Sequence, residues 1–135
     1  MISKRVVKRS EKDAVYVLVK NGSAATMANG DVVIWDATDD DGITVDTIAT
    51  AGSTLIAGVI VEDIAVDGYG RMQVYGYHSA VKIDGGTTDV AANAVIGSGG
   101  TAKYAYTATA VGTVLGVALE AVATATTGKA FIRCM

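Results

Sequence analysis

The sequence predicts an all-β chain, mainly antiparallel and sandwich- or barrel-like, built from two similar tandem β-units behind an extended N-terminal arm. Three observations carry this. Short β-branched segments are bounded by glycine, turn signals recur about every 8 to 12 residues, and the second half of the chain echoes the first. Sixteen Gly and no Pro mean that glycine supplies the turns. At 135 residues the chain is one ordinary domain, or two very small lobes sharing a core.

Taken in order, the first half offers VYVLVK (15–20), DVVIWD (31–36), GITVDTIA (42–49), LIAGVIVED (55–63) and RMQVYGY (71–77) as strands. The second half offers AVKID (80–84), NAVIG (93–97), AKYAYTA (102–108), TVLGVALEAV (113–122) and GKAFIRC (128–134). VLGVALEAVA has the one plausible helical spacing, but its Gly and Val content favours a strand. Asp41-Gly42 and Gly99-Gly100 read as hairpin turns.

The echo aligns NGSAATMANGDVV (21–33) with DGGTTDVAANAVI (84–96) at an offset of 63, pairing Gly22 with Gly85 and Met27 with Val90. After a five-residue deletion it resumes at an offset of 58, laying 55–76 over 113–134. There Glu62 meets Glu120, Gly70 meets Gly128 and Arg71 meets Lys129. One indel at a hairpin loop is what a duplicated β-unit leaves behind. The expected organisation is therefore a basic arm over 1–13, a first unit over 14–76 and a second over 77–135.

Charge is unevenly distributed. Lys4, Arg5, Lys8, Arg9 and Lys12, with Glu11, give the first twelve residues +4, against −7 for the remainder. Such an arm suits nucleic acid or an acidic protein surface, and equally a solvated terminus. It carries no interleaved aromatics, so direct nucleic-acid recognition is not expected. MISKRVVKRSEKD has a positive start without an apolar run, so no signal peptide is expected. No stretch reaches the roughly 18 apolar residues of a membrane span. The single Cys134 rules out an intrachain disulfide and suits a reducing compartment.

Motifs for chemistry fail on inspection. The cluster Asp36, Asp39, Asp40, Asp41 and Asp46 puts Ala37 and Ile48 where an EF-hand loop needs acidic ligands. GSGGTA (97–102) precedes a strand, not the helix that a phosphate site requires. His78 is the only histidine, with no nucleophile elbow and too few ligands for a metal. Glu62 and Glu120 could pose as paired carboxylates, yet their repetition explains them as framing a strand and its turn. The reading is a non-enzyme with no cofactor and no metal. Tyr69, Tyr75, Tyr77 and Trp35 are the contact candidates, because an aromatic with a polar end suits a protein interface.

Three stretches, MANGDVVIWDA, AGSTLIAGVIVEDIAVDGYGRMQVYG and AANAVIGSGGTAKYAYTATAVGTVLGVALEAVATATTGKAFIRC, together resemble the capsid cement, or head decoration, proteins of tailed bacteriophages. ANGDVV (28–33), LGVALEA (115–121) and TGKAFIR (127–133) carry the likeness, which extends over 14–134. The resemblance implies a virion protein made in the host cytoplasm and seated, as a homotrimer, on the capsid exterior. Its partners would be the major capsid protein and itself, with no membrane involved. Lys4, Arg5, Lys8 and Arg9 would then lie against the acidic shell, with the tyrosines and Trp35 at subunit contacts. A small tail or fibre subunit and a carbohydrate-binding β-barrel are the alternatives.

Overall fold

A computed structural model describes residues 14–39, 41–48, 55–85, 89–99, 101–108 and 114–134. The basic arm, with Lys4, Arg5, Lys8 and Arg9, lies outside the described residues. The described residues form nine strands: β1 (Ala14–Asn21), β2 (Val32–Trp35), β3 (Thr44–Thr47), β4 (Ile56–Ile60), β5 (Tyr69–Ile83), β6 (Val95–Ser98), β7 (Ala105–Thr107), β8 (Val114–Ala118) and β9 (Thr126–Arg133). The all-β, mainly antiparallel, barrel-like architecture is as the sequence predicts; among the described residues only the β1–β3 and β5–β7 pairings are parallel.

One difference organises everything else. RMQVYGY and AVKID, which read as two strands, are one 15-residue strand, β5, running through the boundary between 76 and 77. Gly76 and the His78–Ser79 polar step suggest a break, but hydrogen bonding to neighbours on both sides carries the strand through. Its first half closes a ring β1–β3–β2–β4–β5, and its second half closes a ring β5–β7–β6–β8–β9. A closed ring leaves no unpaired strand edge.

The two rings repeat one another rung by rung. Val32 faces Val59 and Val33 faces Gly58 in the first; Val95 faces Val117 and Ile96 faces Gly116 in the second, each ladder slipping at the next residue. Isolated bridges recur too, Met27 with Ile64 and Val90 with Val122. The first strands match differently: Val19 opposite Gly70 corresponds to Val81 opposite Gly128, an offset of 62. Gly22 is therefore the counterpart of Asp84 and not of Gly85, and the extra residue is absorbed before Val90.

Both interiors are built from the same positions. Val19, Met27, Val33, Val45, Ile64 and Met72 pack the first, and Val81, Val90, Ile96, Ala105, Val122 and Ala130 replace them in the second. Gly70 and Gly128 are required by this packing. A Cβ on Gly70 would lie 2.5 Å from Ile64 Cγ1, and one on Gly128 would overlap Val122. Cys134 touches both interiors, its Sγ 3.6 Å from the Leu115 carbonyl, and burial pushes its thiol up to about 12.

A buried charge joins the rings. Asp31 is fully buried; the Lys82 ammonium binds its Oδ1, the Lys103 ammonium lies 3.4 Å from its Oδ2, and the Ala28 N–H donates to Oδ2 at 3.0 Å. Backbone bonds flank it, from Lys82 N–H to the Gly30 carbonyl and from Val32 N–H to the Lys103 carbonyl, each 3.0 Å. Gly30 sits at φ +92°, and a side chain there would strike the Ala80 carbonyl.

Replacing Asp31 by Ala leaves two lysines without their shared counterion and should cost about 3 kcal/mol in urea denaturation. Glu62→Ala, whose ion pair with Arg71 lies in solvent, should move the midpoint far less. In the native protein Cys134 should resist a thiol-specific disulfide reagent at pH 8 and react at once on unfolding.

Candidate functional site

In the first half of β5 Tyr69, Arg71, Tyr75 and the half-buried Tyr77 turn outward and share one face, while the odd-numbered Gln73 between them is buried. β1 and β9 extend this face on either side. Tyr77 is paired with Phe131 and Tyr75 with Arg133, which places those side chains together. The Tyr75 and Phe131 rings meet edge to face, with centroids 5.2 Å apart and planes at 84°.

Against β1 the register slips, Val15 facing Tyr75 and Tyr16 facing Gln73 with Val74 of β5 as the extra residue, and both Val15 and Tyr16 are exposed beside Leu18. Arg71 stacks its guanidinium 5.4 Å from the Tyr16 ring centroid. Tyr69 and Leu18 are each 64% exposed, an unusual state for large apolar groups on a well-formed strand. The result is an aromatic and aliphatic face with Arg71 in its midst and other cations around it. Lys20 reaches Asp67 at 3.6 Å, Arg71 pairs with Glu62 at 3.5 Å, and Lys129 with Glu120 at 4.0 Å.

The echoed glutamates frame the turns. Glu62 Oε1 accepts the Arg71 backbone N–H at 2.8 Å, and Glu120 Oε1 accepts that of Lys129 at 2.9 Å. The Arg71 N–H, more than its guanidinium, holds the Glu62 carboxyl below the usual carboxylate range.

A shallow cleft of about 290 Å³ opens on the same face, lined by Ala14, Tyr16, Asn29, Val61, Gln73, Tyr77, His78 and Ser79. His78 is buried, its Nδ1 accepting the Ala80 N–H at 3.1 Å, and burial holds its pKa below the ordinary value. Its neutral form is favoured in the fold. Stability is therefore full above the ordinary histidine pKa and declines as pH falls below it, while the unfolded chain takes up the proton first.

In the Asp-rich loop the Asp36 and Asp41 carboxylates turn onto the loop's own backbone. Asp36 Oδ1 accepts the Thr38 N–H at 2.7 Å. Asp41 Oδ1 accepts from Thr44 N–H and Ile43 N–H, each 2.8 Å, and its Oδ2 from the Thr44 hydroxyl at 2.8 Å. These donors, the Thr44 amide first, bring the Asp41 carboxyl down to about 2. The turn predicted at Asp41-Gly42 is thus the end of a longer loop, held by an Asx motif with Gly42 at φ +67°.

Of the aromatic candidates, the structure joins Tyr75 and Tyr77 around Phe131 and sets Tyr69 at the far end of the same face. Trp35 is elsewhere: opposite Val45, it packs against the first interior. Sequence reasoning passed over Val15, Tyr16, Leu18 and Phe131. The signal was present in VYVLVK, where both alternating rows are apolar although a ring wall needs only one.

No known protein family matches the chain, and no curated protein matches it. Among solved structures it is similar to the head fiber gp8.5 N base in bacteriophage phi29. Identity is 18%, the TM-score is 0.57, and the match covers 90% of this chain and 96% of that one. The shared feature is the fold.

Asp41 should titrate with a midpoint near 2 when its carboxyl carbon is followed by NMR. Because the folded pKa lies below the ordinary aspartate value, the loop's stabilisation is complete above that ordinary value and is lost as pH falls through the folded one. Asp41→Ala should abolish this acid-linked change in the Ile43 and Thr44 amide shifts.

Proposed function

We propose that this chain is a non-catalytic structural protein of a phage virion, bound to the outside of the head as a decoration protein that stabilises contacts between major capsid subunits. One observation carries the reading: nine-tenths of the chain shares its fold with the base of a phage head fibre. The likeness of the sequence itself to capsid cement proteins points the same way, and so does the face described above. A non-catalytic docking module needs rigid strands presenting apolar and tyrosyl surface, and closed rings with an exposed aromatic face supply both. The basic arm adds contacts to an acidic shell, and the chain acts as a homotrimer with the major capsid protein as its partner.

The same match favours a second reading, that the chain is the foot of a head fibre, gripping the capsid without reinforcing it. A cement protein raises the temperature at which filled heads release DNA; a fibre foot binds and leaves that temperature unchanged.

Mixing the purified protein with undecorated heads of its phage should give saturable binding, and no binding would end both readings. Removing residues 1–12 should lower occupancy. Tyr16→Ser combined with Tyr75→Ser should weaken binding at least about tenfold, the loss of a modest hot spot. Full occupancy by either variant would take that element out of the contact.

A further inference from the structure

The rings repeat their interiors, yet their outer walls meet different fates. On the first ring Val32 and Val59 face each other on the wall and are completely buried, with Ile56 half-buried beside them. They belong to the apolar cluster that fills the second ring, so the second ring is what covers them. Their counterparts, by the matching ladder, are Val95, Val117 and Val114. Here Val95 is 43% and Val114 38% exposed. The same wall is covered on one ring and open on the other.

The seat that receives the wall is repeated as well. In the second ring it includes Ala80, whose carbonyl abuts Gly30, and Lys103, whose carbonyl accepts the Val32 N–H. Stepping back along the matched strands, the equivalent positions on the first ring are Leu18 and Ile43. Both are exposed, at 64% and 43%.

Charge changes in step on the two sides. Inside the chain the contact is pinned by Asp31 on the wall and Lys103 on the seat. The open wall has Ala94 in place of Asp31, and the open seat has Ile43 in place of Lys103. Both members of the ion pair become apolar together, so a wall and seat brought together bury no unpaired charge. Lys20, the counterpart of Lys82, is turned to Asp67 instead. The Lys20 N–H is already donated to the Ile43 carbonyl at 3.0 Å, so the Lys82–Gly30 backbone bond is not reproduced.

From this we infer that the β6–β8 wall of one copy docks on the Leu18–Ile43 seat of a second copy, repeating between molecules the contact that joins the two rings within one. The interface is head to tail, so successive copies extend the array until the rotation closes it. Three copies joined this way place six five-stranded units in one circuit. This deepens the self-association in the reading above and rests on it only for the number of copies; capsid binding can fail while the contact stands.

The test is sedimentation equilibrium of the full chain with Val114→Glu, Leu18→Glu and their equimolar mixture. The wild type should show reversible, concentration-dependent association. Each variant alone should be monomeric, because one of its two faces is spoiled. The mixture should form a 1:1 dimer and nothing larger, since only one intact wall meets one intact seat. Val95→Glu and Ile43→Glu repeat the experiment from neighbouring positions, and near-UV circular dichroism of Trp35 verifies folding. A wild type still monomeric at about 1 mM, variants that keep the wild-type mass, or monomeric variants that ignore each other would each overturn the inference; the first corresponds to a contact weaker than about −4 kcal/mol. Because Leu18 also belongs to the aromatic face, head binding is measured in parallel on the wall variants Val114→Glu and Val95→Glu, and this separates the contact between copies from the capsid contact.

Discussion

A single strand that serves as a wall of two barrels is the constraint on which the rest depends. Over fifteen residues β5 hydrogen-bonds to β1, β4, β7 and β9. One ring ends its circuit on this strand and the other begins there. Each ring must therefore take its register from the same backbone, and a one-residue slip in either would turn its interior outward. The bulge between His78 and Val81 accommodates the change from one ring to the next. The two rings are built on one continuous strand and share the buried ion triad at Asp31, so the two should melt as one.

Around that strand the polar groups divide into two kinds. Glu62, Glu120, Asp36 and Asp41 sit at the rims and tie loops to strand ends through backbone amides. Asp31 is different, because it is buried and shared by two lysines of the other ring. Burying a carboxylate is costly unless it is paired and hydrogen-bonded, and here three donors meet it. An apolar residue in its place could slide or rotate against its neighbour. The ion triad fixes one docking angle.

Much of this was legible in the sequence. Alternating β-branched residues between glycines gave the strands, and the paired offsets gave the repeat, because both properties are local in the chain. The continuity of β5 was hidden, since Gly76 and the His78–Ser79 step break the pattern and only cross-strand bonding bridges them. The Gly22–Gly85 match misled for a related reason: identical letters outweighed a register that only the ladder fixes. Exposure was the least visible property. Val32 and Val95 are the same residue at matched positions, and one is buried while the other is open because the second ring lies over the first. Trp35 has the same lesson in reverse, an aromatic that reads as a contact and packs against an interior.

The exits of the chain follow from the shared strand as well. Ala14 and Ile132 pair with Gly76 from its two sides. At one strand spacing each, they stand roughly 10 Å apart. Both ends of the described fold thus leave from the waist of the molecule, beside Tyr75, and not from its poles. A cargo joined directly at Ala14 or at Cys134 would emerge at the same place. For display on a particle this favours small cargoes on one end over large ones on both, since two bulky fusions would compete for one doorway and shade the aromatic face between them.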